Sequence, residues 1–221
     1  NNILKNNNYK IFGYVDIKGK DTVNIPRLNN VNDDNNIDLA IVTVSTENHY
    51  MITEDLINKK INLLIEKPGF SNLDEFNKIF KLLEGKENKI GISMLERYNS
   101  FLEFRNFKEY DRIEIYRVTG YSNNFNSDII LHDLLIHDLD ILVYFNNLEL
   151  DKINVINIIR EKDIYMINLK CCKVYLNIMI GNSKNISKRK HIYYKNGKTK
   201  EYDFINKENK IKSIYDDYVN F

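Results

Sequence analysis

Three runs organise the first part of the chain: IDLAIVTV at residues 37–44, INLLI at 61–65 and KIGISM at 89–94. The first is β-branched and apolar at nearly every position, a pattern that suits a strand covered on both faces, as in a parallel sheet. A polar turn, STEN, follows it, and His49 to Lys60 carries Met51, Ile52, Leu56 and Ile57 at helical spacing. Between the second and third runs, Ser71 to Leu83 reads as a helix. Ser71 is placed to cap it with Asp74 three residues on, and Leu73, Phe76, Ile79, Phe80 and Leu83 form one stripe. Upstream, YKIFGYV at 9–15 reads as a further strand ending at Asp16. Strand–helix–strand–helix–strand with short connections implies right-handed crossovers and a doubly wound α/β sheet. Ligands in such sheets bind beyond the carboxyl ends of the strands. Asp16, the Thr43–Thr46 turn, Lys67 and the region after Met94 all fall at those ends.

From about Leu95 the pattern changes. A strand is expected at Arg112 to Thr119 and a helix from about Ile129 to Phe145. Strand-like runs follow at 152–159, 164–172, 174–180 and 191–195, the last joined through Asn196-Gly197 to 199–204. Asn-Gly between β-rich runs is a hairpin signal. The expectation is two domains: residues 1–94, a parallel α/β unit, and 95–221, an α+β unit with a largely antiparallel open sheet.

Composition narrows the function classes. The 221 residues carry 32 Lys+Arg against 31 Asp+Glu, a formal charge of +1, which argues against nucleic-acid binding by counterion release and against a polybasic membrane anchor. No apolar run approaches the roughly 18–20 residues that span a bilayer. The opening NNILKNNNYK has no hydrophobic signal region. Two adjacent cysteines, Cys171 and Cys172, make no disulfide framework, so a reducing, cytoplasmic setting is expected. Read as mid-strand residues, they point to opposite faces as core filler. Lys188-Arg189-Lys190 reads as a solvated turn.

The densest polar cluster is HDLLIHDLD at 132–140. On a helix, Asp133 and His137 share a face and His137 and Asp140 lie three apart. A carboxylate one turn from an imidazole orients the ring for general acid/base work. His132, His137 and Asp140 at these spacings could equally ligate a divalent metal, or the helix could simply present a solvated polar face. Glu66-Lys67-Pro68 puts a lysine at the mouth of the sheet, where it could donate to a substrate hydroxyl or remain a surface lysine before a turn. Asp16 could bind a ribose diol or be ordinary turn chemistry. His49, at a helix start, reads more readily as a satisfied structural histidine than as a ligand.

Taken in order, these pieces resemble the glucose–fructose oxidoreductase / inositol 2-dehydrogenase (Gfo/Idh/MocA) family over nearly the whole chain. Val44-Ser45-Thr46-Glu47-Asn48-His49 is similar to that family's nicotinamide-side loop, with Ser45 where Pro is usual. Glu66-Lys67-Pro68 matches its EKP motif, Arg97-Tyr98-Asn99 resembles its segment entering the second domain, and Asp133, His137 and Asp140 match its D-x3-H-x2-D helix. The EKP motif and the Asp/His helix stand about 65 residues apart. The resemblance implies a Rossmann-like first domain and an NAD(P)-dependent oxidoreductase acting on a sugar, cyclitol or nucleotide-sugar hydroxyl. It implies Lys67, Asp133 and His137 as catalytic residues, with no metal. Asp16, Thr43, Ser45, His49, Glu66, Lys67 and Pro68 would bind the cofactor, and Arg97, Tyr98 and Asp140 the substrate. Asp16 favours NAD, although Lys18 and Lys20 could receive the 2′-phosphate of NADP. A homo-oligomer through the C-terminal sheet is expected.

The departures also carry information. The family's opening strand and G-x-G-x-x-G loop, which holds the pyrophosphate at a helix N-terminus, is not among these 221 residues, and residue 1 is Asn. Asn126-Ser127-Asp128 replaces a Gly-rich stretch, and Leu135 stands where Gly is common. The expectation is a longer natural protein. The alternative is a non-catalytic relative serving as a dimerisation or partner-binding protein.

Overall fold

A computed structural model of the chain describes residues 10–16, 25–30, 37–99, 102, 106–120 and 130–206. The chain forms two compact units, Asn1–Ser93 and Met94–Phe221.

In the first unit, strands β1 (Leu39–Val42), β2 (Asn62–Glu66) and β3 (Ile90–Ser93) form a parallel sheet in that order. Helices α1 (His49–Asn58) and α2 (Leu73–Leu82) make the two crossovers. Register rows explain the core: Val42, Ile65 and Ile92 form one row, and Ala40, Leu63 and Ile90 the next. On these rows pack Leu56 and Ile57 from α1 and Ile79 from α2. Each fully buried aliphatic side chain contributes about 1.5–3 kcal/mol. Because both helices cover this one face, Leu39 and Ile41 on the other are 45% and 43% exposed, which corrects the expectation that β1 is covered on both sides.

Helix ends follow local chemistry. Helix α1 closes with Lys60 in the left-handed region (φ 61°). There the Ile61 N–H reaches Leu56 O at 3.1 Å and the Lys60 N–H reaches Ile57 O at 3.0 Å, a Schellman closure with Ile61 packed on Leu56. The cap of α2 is Asn72, one residue later than expected. Its side chain accepts from the Glu75 N–H at 2.9 Å, and the Glu75 carboxylate accepts from Asn72 Nδ2 and from the Ser71 N–H. The apolar stripe of α2 is also only partly used: Ile79 is buried, while Leu73, Phe76 and Phe80 are exposed. The predicted strand at 9–15 is reduced to one bridge, Tyr14 to Arg27. The described neighbours of Tyr14 offer hydrogen bonds only from residues 26–28, too few for a ladder.

The second unit is a six-stranded sheet in the order β5–β6–β7–β4–β8–β9. The strands are β4 (Arg112–Thr119), β5 (Ile153–Glu161), β6 (Ile164–Cys171), β7 (Val174–Asn182), β8 (Lys188–Lys195) and β9 (Lys198–Asp203). Only β4 and β7 run parallel; every other pair is antiparallel. Asn196 and Gly197 both have positive φ, as the predicted two-residue hairpin requires. Alternation decides the core: Ile113, Ile115, Leu176, Ile178, Ile180, Ile167 and Leu169 face Ile141, Leu142 and Phe145 of helix α3 (Ile136–Asn146). Two readings are corrected here. Lys188–Lys190 is the start of β8 rather than a turn. Cys171 ends β6 in the core, whereas Cys172 is exposed in the following turn with φ 54°. No helix among the described residues is long and apolar enough to cross a membrane.

Candidate active site

In the first unit, the polar groups expected at the site gather at the carboxyl ends of β1 and β2. His49, at the first residue of α1, is 1% exposed. Its Nε2 lies 3.0 Å from Val44 O, and its Nδ1 lies 3.1 Å from both Pro68 O and Gly69 O. One ring thus joins the loop after β1 to the turn after β2. Ser71 Oγ adds a longer tie to Thr46 O at 3.4 Å. Both imidazole nitrogens of His49 lie against main-chain oxygens of these two loops. Lys67 stands in the turn so fixed, half-buried, and its N–H donates to the Glu66 carboxylate at 3.0 Å. The Lys67–Pro68 peptide is cis. Thr43 and Ser45 are exposed on the rim. Asn48 Nδ2 donates to Ser45 Oγ at 2.9 Å. The hydrogen bond from Ser45, with that from its own N–H, holds the Glu47 carboxyl below its ordinary range.

Asp16 does not end a strand of the parallel sheet. It follows the Tyr14 bridge, exposed, with Arg27 donating to its main-chain oxygen at 2.6 Å. Lys18, Lys20 and Asn126-Ser127-Asp128 lie outside the described residues.

In the second unit the Asp/His cluster falls on two kinds of helix. Leu131–Leu135 is one turn of π-helix, and α3 continues from Ile136. Asp133 sits on the wide turn and His137 on the first turn of α3, both half-buried. Such a turn widens the helix by one residue and is frequent at functional sites. His132 is exposed.

Neighbouring carboxylates on α3 have other duties. Asp140 binds Arg97 through three contacts, Nη2 to Oδ1 at 2.5 Å and Nε to the two carboxylate oxygens at 3.0 and 3.1 Å. The Arg97 guanidinium also lies 4.7 Å over the Tyr144 ring. The Asp140 hydrogen bond outweighs partial burial and raises the Arg97 pKa. Two residues expected to bind substrate therefore tie the 95–98 turn to α3, while Tyr98, the third, is 88% exposed. Both Asp140 oxygens accept from Arg97. Among the described residues no three His, Cys, Asp or Glu side chains converge to hold a metal.

Asp138 is the residue that sequence reasoning missed. It is 1% exposed and accepts from Arg117 Nε at 2.5 Å, Arg117 Nη2 at 3.1 Å and His191 Nε2 at 2.8 Å. Burial pushes its carboxyl up, but the His191 hydrogen bond and the Arg117 charge win and hold it at about 2. His191 Nδ1 continues to Tyr193 OH at 3.4 Å, which donates to Asn146 Oδ1 at 3.3 Å. The network locks α3 to β4 and β8, fixing the helix that carries His137. Glu96 in turn pairs with Arg189, whose guanidinium lies 4.8 Å over the Phe204 ring.

The rim residues fit the nicotinamide side of a dinucleotide: exposed Thr43 and Ser45 beside a loop pair that His49 holds in place. The phosphate-binding loop such a cofactor would need is not in this sequence.

Residues 7–94 match the model of an oxidoreductase family with an NAD-binding Rossmann fold, Gfo/Idh/MocA. No curated protein matches the sequence. Among solved structures, the chain is similar to a dehydrogenase (MviM) from Clostridium difficile, with 18% identity and a TM-score of 0.67 over 82% of this chain and 62% of that one. It is similar to the UDP-N-acetylglucosamine 3-dehydrogenase of Acidithiobacillus ferrooxidans, with 16% identity and a TM-score of 0.62 over 76% and 58%. It also resembles scyllo-inositol dehydrogenase from Lactobacillus casei with bound NAD(H) and scyllo-inositol, with 14% identity and a TM-score of 0.61 over 77% and 58%. The chain thus spans about three fifths of the length of these proteins. Over residues 7–94 the chain is thus similar to the Gfo/Idh/MocA oxidoreductase family, and it shares the fold of the solved dehydrogenases named above.

Proposed function

We propose that this chain is part of an NAD(P)-dependent oxidoreductase acting on a hydroxyl of a sugar, cyclitol or nucleotide-sugar. The observation that supports it most directly is the Glu66-Lys67-Pro68 turn pinned by His49 at the mouth of a parallel sheet, within the segment that matches an NAD-binding family. Thr43, Ser45 and the 66–68 turn hold the nicotinamide side of the cofactor, and Asp16 its ribose, with NAD preferred. When bound, the nicotinamide supplies the hydride acceptor.

The protein groups handle the proton and the alignment. The Lys67 ammonium donates to the substrate hydroxyl oxygen and lowers its proton affinity. The His137 imidazole accepts the hydroxyl proton, and the Asp133 carboxylate stabilises the imidazolium that results. Asp140 and Arg97 set the entry segment beside that helix. A positioned acid/base of this type contributes about 10²–10⁴-fold to rate.

The test is turnover of inositols, hexoses and UDP-sugars with NAD⁺ or NADP⁺, read by nicotinamide absorbance. Lys67→Ala and His137→Ala should each lower kcat/KM by at least about 100-fold with circular dichroism unchanged. Wild-type rates in both variants would overturn the assignment. A titration with NADH and NADPH should give the tighter binding with NADH.

A further inference from the structure

The turn between β6 and β7 holds both cysteines of the chain, and the oxidoreductase reading uses neither. Cys171 ends β6, in register with Ile153 of β5 and Val174 of β7, and is 0% exposed. Its Sγ donates to Glu149 O at 3.5 Å. Cys172 follows it across a trans peptide and is exposed, with φ 54°. Burial pushes the Cys171 thiol up, and the charge and hydrogen bond of Cys172 push it further, so the two sulfurs face each other within this turn.

The surroundings of Cys172 are cationic. Lys173 is the next residue and is exposed. The Lys152 pKa is raised first by its Glu149 hydrogen bond and also by the Cys172 charge, which places that ammonium near the exposed thiol. An accessible thiol among ammonium groups, with a second thiol at hand, is the setting of reactive cysteines. Cys171 alone has no such access, and a buried thiol in apolar surroundings is inert to external reagents.

We infer that Cys171 and Cys172 form a vicinal dithiol site that low-molecular-weight disulfides, such as oxidised glutathione, convert to a Cys171–Cys172 disulfide. The Cys172 thiolate attacks one sulfur of the external disulfide, forming a mixed disulfide and releasing the first small thiolate. Cys171 then attacks the Cys172 sulfur, closing the ring and releasing the second. Each departing thiolate takes up the proton that its attacking thiol has lost. Two protein thiols are oxidised, and one external disulfide is reduced to two thiols. Adjacent Cα atoms stand about 3.8 Å apart, short of the ~4.4–6.8 Å usual for a disulfide, so the closed ring is strained and easily reduced again. The site adjoins the turn after α3, at the far end of that helix from His137, and it does not depend on the oxidoreductase reading.

The experiment incubates the purified full chain with oxidised glutathione, blocks free thiols with iodoacetamide and maps tryptic peptides by mass spectrometry. Lys170 and Lys173 flank the pair, so both sulfurs leave on one peptide. In wild type that peptide should carry neither glutathione nor the blocking group, be two hydrogens lighter than the dithiol, and recover with dithiothreitol. Cys171→Ala should instead retain glutathione on Cys172, because nothing resolves the mixed disulfide. Cys172→Ser, a change on an exposed turn, should leave Cys171 unmodified in the native fold and modified only in urea. Circular dichroism verifies that both variants fold. An unmodified wild type would overturn the proposal. So would a stable glutathione adduct on wild type, a disulfide between two chains, or a folded Cys172→Ser variant modified as fast as wild type.

Discussion

Neutralising Asp138 is the most informative perturbation of the second unit. The carboxylate sits between Arg117 and His191, with Arg117 7% exposed and His191 1% exposed. Asp138→Asn preserves shape but removes the charge, leaving a guanidinium buried without its counter-ion. Removing one partner of a buried pair costs about 3–5 kcal/mol, because the remaining charge cannot regain water. With a slope of about 2 kcal/mol/M in urea, the unfolding midpoint should fall by about 2 M. Circular dichroism would follow the transition, and hydrogen exchange in α3 and β8 would assign the loss to the second unit. The pH dependence gives an independent check. A carboxyl held at about 2 in the fold and near 3.8 when unfolded contributes stability that is fully present above about pH 4. That contribution, about 2 kcal/mol, is lost as pH falls from about 4 to about 2. Asp138→Asn should lack this part of the acid sensitivity. Replacing both charges, as Arg117→Met with Asp138→Leu, should recover most of the single-variant loss. If Asp138→Asn lies within about 1 kcal/mol of wild type, the network is worth no more than a surface pair and the reasoning fails.

Other expectations follow from single features. Asn72→Ala should cost about 1 kcal/mol and Ser71→Ala only a few tenths, since Asn72 supplies the side-chain cap of α2; thermal melts of the two variants decide it. Lys60→Gly should stabilise by up to about 1 kcal/mol, because a left-handed residue there closes α1 and glycine adopts it without strain; a rise in the urea midpoint is the readout. His49→Ala strands three carbonyl contacts and should accelerate hydrogen exchange in residues 44–46 and 67–71 while leaving the second unit unchanged. Gly181→Ala would drive a methyl group into the Asp163 carbonyl oxygen of the facing hairpin turn; reduced soluble yield or loss of two-state melting is the expected result.

Local pattern carried much of the architecture. The β-branched runs at 37–44, 61–65 and 89–94 became the three parallel strands because their neighbours in sequence are helices of the right length to cross over. Arg112–Thr119 and the Asn196-Gly197 hairpin were legible for similar reasons: strand propensity and turn chemistry reside within a few residues. What escaped was non-local. Asp138 looked like one more acid in a polar helix, and only the fold brings Arg117 and His191, 21 and 53 residues away, to its carboxylate. The same applies to Arg97 and Asp140, 43 residues apart, whose mutual binding cannot be read from either motif. The cap of α2 moved from Ser71 to Asn72 because both residues can cap, and backbone geometry selects between them. The stripe Leu73–Phe76–Phe80 was expected in the core, but periodicity reports which residues share a face, and the width of the sheet decides how many of them are covered.

The π turn at Leu131–Leu135 gives the helix a property that a uniform α-helix would lack. It is equivalent to one extra residue in the winding, so its removal is a change of phase rather than of composition. Deleting Leu134 would rewind the turn and rotate Asp133 by about 100° relative to His137. Everything from Asp138 onward would stay anchored by Arg117 and Arg97. A single deletion would thus uncouple the two members of the Asp133–His137 pair without replacing either, and would separate their mutual alignment from their individual chemistry.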